Sequence, residues 1–119
     1  MSGNAPNQAL LEALGKLIKD VQDLVMLLGQ GLSRAKPWQR QLSAHLADID
    51  RQLQVLRMTV AMEKQDGEIL EAAEQLAGLS RLAGAALAGS RVDPTTRAAI
   101  KLIGDLTVRI RTTLQEARG

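Results

Sequence analysis

The chain has no cysteine, tyrosine or phenylalanine, and its 119 residues include one tryptophan and one histidine. Without thiols there can be no disulfide, zinc–thiolate site or cysteine nucleophile, which fits a reducing compartment. One aromatic ring, Trp38, cannot form the serial stacking platform that single-stranded nucleic acid requires. One imidazole, His45, leaves no H-E-x-x-H zinc motif, and Leu42 stands where a di-iron bundle would place Glu three residues earlier. Dinucleotide-binding, phosphate-loop and G-x-S-x-G patterns are missing too. Ser43, His45 and Asp48 carry the residue types of a serine triad, but one helix cannot orient all three and also supply oxyanion donors. The longest apolar stretch, residues 76–89, has 14 residues and contains Arg81, short of the roughly 20 needed to cross a bilayer. The opening "MSGNAPNQAL" lacks the basic and apolar regions of a signal peptide. Together these absences predict a soluble cytoplasmic protein with no metal, no cofactor and no membrane partner.

What remains is a helical vocabulary. Hydrophobic residues make up 45% of the chain and charged residues 24%, an ordinary globular balance. Residues 1–6 read as a disordered leader and 7–119 as one helical-bundle domain. In the first helix Leu10, Leu14, Leu17, Val21, Leu24 and Leu28 recur at steps of four and three, with Leu11, Ile18, Val25 and Leu32 beside them. Gly29 and Gly31 end it. The second helix opens at Pro37 and carries a narrower seam of Leu42, Leu46, Ile49, Leu53, Leu56 and Val60. "EKQDGE", residues 63–68, interrupts that register and turns the chain. A third helix starts near Asp66 and points Ile69, Ala72, Ala73, Leu76, Leu79, Ala83 and Ala86 inward. Its small residues Ser80, Gly84 and Ala88 permit close approach of another helix. Asp93 and Pro94 open the fourth, with Ala99, Ile103, Leu106, Ile110 and Leu114 toward the core and Ile100 at the edge. No segment alternates like a strand. Four rods of about 22 to 27 residues with short connections predict an all-α, antiparallel up-down-up-down four-helix bundle.

The apolar residues left over point to function. Val55, Met58 and Met62 form a second stripe on the second helix, away from its seam, and Met26 and Leu27 lie where the first helix is apolar nearly all round. Contiguous exposed apolar residues mark association sites, and flexible methionine suits adaptable packing. The reading that follows is a non-enzymatic interaction or adaptor module, a homodimer or part of a heteromeric assembly. Arg34, Lys36 and Arg40 around Trp38 make a candidate anion-binding surface, with the bundle-closing role of Trp38 as the alternative. That alternative places the indole opposite Leu28, Gly29 and Gly31, where missing side chains would leave room for it.

Two short patterns invite enzymatic readings. Arg40 and His45 have R-x4-H spacing, which resembles the motif of HEPN-type helical ribonucleases; the resemblance implies a metal-independent RNA-cleaving dimer that pairs Arg and His from two subunits. Gln41 stands where that family usually has Asn, Asp or His. A mid-helix histidine in a four-helix chain also resembles a histidine phosphotransfer domain, but Asp48 occupies the place of the cation that would hold phosphate. Direct nucleic-acid binding is a third reading. Residues 66–89 carry net −3 and residues 94–119 net +3, with Arg97, Lys101, Arg111 and Arg118 along one side of the last helix. The whole-chain charge of +2 argues against broad coating of a polyanion.

Overall fold

Each apolar stripe becomes one helix: α1 (Asn4–Gly31), α2 (Pro37–Ala61), α3 (Asp66–Leu87) and α4 (Pro94–Arg118). The computed structural model describes residues 4–64 and 66–118, with side chains described for 8–64 and 66–117. The expected leader overlaps this boundary, because α1 already begins at Asn4 and residues 1–3 lie outside the described residues. Consecutive helices pack on one another, and α4 returns against α1. That contact order, with short connections, closes a four-helix bundle.

The connections are set by local chemistry. Lys36 is extended, Pro37 begins α2, and the Lys36 N–H donates to Gln39 Oε1 at 2.9 Å, satisfying a donor at the helix entrance. At the far end of α2, Lys64 N–H donates to the Thr59 carbonyl at 3.0 Å and Glu63 N–H to that of Val60 at 3.1 Å. This is a Schellman cap with Glu63 in the left-handed position, at φ 53°. A side chain is unfavourable there, so Glu63→Gly is expected to stabilise the fold by about 0.5–1 kcal/mol. A thermal melt would show a rise of about 2–4 °C. The corresponding position after α3 already holds a glycine, Gly89, at φ 85°.

Asp93 is the N-cap of α4. Thr96 donates to it twice over, from its N–H to Oδ2 at 3.0 Å and from its hydroxyl to Oδ1 at 2.8 Å. These hydrogen bonds, that of the Thr96 backbone first, hold the Asp93 carboxyl below its ordinary value of 3.8. A lowered folded value stabilises the protein above the unfolded value and is lost as pH falls through the folded one. Asp93→Asn keeps an oxygen acceptor but no charge. The variant is therefore expected to melt below wild type at neutral pH, with the gap closing as pH drops below 3.8. Melting curves from pH 7 to pH 2 would check both the sign and the window.

The core follows most of the expected seams and shifts one of them, while Val60, Leu79, Ala86 and Ala99, expected inward, are only half-buried. Leu42, Leu46, Ile49, Leu53 and Leu56 are buried on α2; Ile69, Ala72, Ala73, Leu76 and Ala83 on α3; Ile103, Leu106, Ile110 and Leu114 on α4. Ile100, expected at the edge, is also buried. On α1 the buried line is Leu14, Ile18, Val21 and Val25, while Leu10, Leu17, Leu24, Leu28 and Leu32 are half-buried against it. Ser80 and Thr107 enter the core as well. Each hydroxyl donates to a carbonyl of its own helix, Leu76 and Gly104 respectively, so neither is left unsatisfied.

The helices are staggered. Arg57 of α2 donates to Gln22 Oε1 of α1 at 2.7 Å, and Gly15 shares a groove with Val60 and Ala61. A tight hairpin about the 32–36 linker would instead set Gln22 beside the first half of α2. The displacement accounts for a long axis of 56 Å, when α1 alone spans roughly 42 Å. Leu11, one turn before Gly15, is exposed.

Candidate functional site

The α2 outer stripe stands clear of the core. Val55, Met58 and Met62 are 46%, 60% and 59% exposed, while Leu53 and Leu56 between and beside them are fully buried. Helical geometry produces this split, since residues two apart lie 200° round the axis and those three or four apart share a face. The stripe has unlike flanks. Val55 borders a groove with α3 that contains Glu68 and Glu71. On the other flank, Arg57 lines a groove between α1 and α2 of about 580 Å³. Met26 lines that second groove one turn beyond Gln22, the partner of Arg57, and is half exposed. Leu27, a further 100° round α1, is 68% exposed but does not line the groove. The structure thus sets Met26 beside one flank of α2 and leaves Leu27 apart.

The basic turn around the tryptophan is arranged differently from its sequence appearance. Arg34, Lys36 and Arg40 are exposed, and Trp38 is half-buried against the core. Arg40 Nη1 donates to the carbonyls of Arg34 at 3.0 Å and Ala35 at 3.2 Å, so this guanidinium ties down its own linker. The indole Nε1 is buried with no partner among the described residues. The room expected from Gly29 and Gly31 is not what receives the ring. A methyl group at either glycine would meet no atom within 4 Å, so neither has a side chain packed onto it. Stagger is the physical reason, since it draws the end of α1 away from the first turn of α2.

Arg40 and His45 sit five residues apart, roughly 140° round α2. No hydrogen bond joins them among the described residues, and His45 is half-buried. Arg40 spends Nη1 alone on the two linker carbonyls, which fixes the direction of its guanidinium along the linker. Among the described residues no group of three or more His, Asp or Glu side chains is placed to hold a metal ion, and no helix is long and apolar enough to cross a membrane.

One feature was split in the sequence. The small residues Ser80 and Gly84 of α3 line a groove of about 510 Å³ together with Arg97, Lys101 and Arg111 of α4. Both series were visible separately, but nothing in their spacing said that they face one another. Arg81 of α3 joins them, and Asp105 pairs with Lys101 at 3.0 Å. The side chain of Arg118, expected on the same line, lies outside the described residues. Leu82, exposed on the outer side of α3, is another apolar residue that the core pattern did not separate. Compared with protein-family models, curated proteins and solved structures, the chain has no match in any of the three.

Proposed function

We propose that this chain is a non-enzymatic protein–protein interaction module of the cytoplasm that buries the Val55, Met58 and Met62 stripe against a helix of a second polypeptide, in a homodimer or a heteromeric adaptor assembly. The observation that carries the reading is the exposure of all three side chains on the face of α2 opposite a seam that is already closed. Water-facing methionines on one helix face form an adaptable apolar surface whose burial favours association. The acidic flank at Glu68 and Glu71 and the basic flank at Arg57 would then select the orientation of the partner helix. Light scattering on a concentration series tests the homomeric form, with Met58→Glu as the disrupting variant. A monomer at every concentration, together with unchanged partner capture by Met58→Glu, would remove the basis for the proposal.

A further inference from the structure

We infer that the α3/α4 groove is a second docking surface, independent of the α2 stripe, and that it takes an acidic amphipathic helix from a partner protein. The groove is lined by Arg81, Arg97, Lys101 and Arg111, with Asp105 as the only carboxylate among the described residues. Lys101 is paired with Asp105, and Arg97 donates to the Ser90 carbonyl at 3.0 Å. No carboxylate lies within ion-pair distance of Arg81, Arg97 or Arg111 among the described residues. Arg111 also has its Nε buried without a partner there. The floor between these cations is small and apolar, with Gly84 and Ala85 on α3 and Gly104 and Val108 on α4. A cationic rim over such a floor is complementary to an anionic ligand with an apolar side.

The spread of charge decides the occupant. Arg97 and Arg111 are 14 residues apart on one helix, roughly 21 Å, and Arg81 faces them from the opposite wall. A single-headed amphiphile would satisfy one end only. A helix of about four turns, with carboxylates along both edges of an apolar face, would reach all of them. A second copy of this chain fits poorly. Its acidic helix, α3, already buries Ile69, Ala72, Ala73 and Leu76, and its exposed face offers no large apolar side chain between Glu68 and Leu82.

The test uses a fluorescein-labelled designed peptide of about 16 residues, with leucine and alanine on one face and glutamate along both edges, and its lysine-for-glutamate counterpart. Fluorescence polarisation with the full chain is expected to show saturable binding of the glutamate peptide below about 1 mM. That binding should weaken roughly ten-fold or more between about 0.05 and 0.5 M salt. The double variant Arg97→Glu/Arg111→Glu should also weaken it at least ten-fold. So should Ala85→Trp, which fills the groove from an exposed position without entering the core. Circular dichroism melts matching wild type would separate these losses from unfolding. Absence of binding, equal binding of the lysine peptide, or retention by both variants would overturn the inference. Saturable binding of laurate in preference to the peptide would overturn it in favour of a small amphiphile. Self-association that is abolished by the arginine reversals would do so in favour of a second copy. Failure here leaves the α2 stripe untouched, because Met58→Glu does not alter this groove.

Discussion

Leu53→Ala is expected to destabilise the protein by about 2–5 kcal/mol, lowering its melting temperature by about 8–20 °C. Leu53 is fully buried in the second half of α2, in the cluster that all four helices share. Truncation removes three carbons' worth of apolar burial and leaves a space that staggered, already packed helices can only partly close. A domain of this length holds roughly 5–15 kcal/mol in all, so one such cavity consumes a large part of it. Urea unfolding should be followed by circular dichroism for the whole bundle and by Trp38 fluorescence for its one end. Coincident transitions shifted to lower urea would show that the cavity weakens a single cooperative unit. A loss under about 1 kcal/mol would mean that the site collapses freely, contrary to the close packing around it.

Met58→Glu, five residues further along the same helix, is expected to do the opposite. Its side chain is exposed, so the fold should change by no more than about 0.5 kcal/mol. Association is where the large effect falls. A carboxylate at the centre of a dry helix–helix contact would lose its hydration without a guaranteed counter-charge, and affinity should drop on the order of 100-fold. Met58→Leu, similar in volume and equally apolar, should retain association. Sedimentation or light scattering on the three proteins reads this directly. Equal association for methionine, leucine and glutamate at this position would assign the stripe to ordinary solvated surface. The pair of substitutions also separates two roles on one helix, with Leu53 holding the bundle together and Met58 available to something outside it.

The α2 seam was the most legible part of the chain. Its four buried leucines and one isoleucine follow a single narrow stripe, and a narrow stripe has only one way to face inward. The caps were legible for a similar reason, since Asp93–Pro94 and Pro37 have local chemistry that needs no tertiary partner. The α1 stripe was harder. It is broad enough that several rotations bury a comparable area, and only its packing against α2 and α4 settled the line through Leu14, Ile18, Val21 and Val25. Glu63 carried no signal of its left-handed conformation, because glycine is the usual marker and is absent there. Arg40 looked like a free cation in sequence and proved to be a clamp on its own linker.

Periodicity, turn residues and missing chemistry were sufficient for the number of helices, their approximate ends, most of the inward faces and the surplus apolar stripe on α2. These depend on neighbours within a few residues, where 3.6 residues per turn converts spacing directly into a shared face. The stagger of α1, the seat of Trp38 and the meeting of small α3 residues with α4 arginines depended on the tertiary structure alone. They are matters of how far one helix slides along another. Sliding is governed by the sum of many weak side-chain contacts across the core, which no local stretch of sequence encodes.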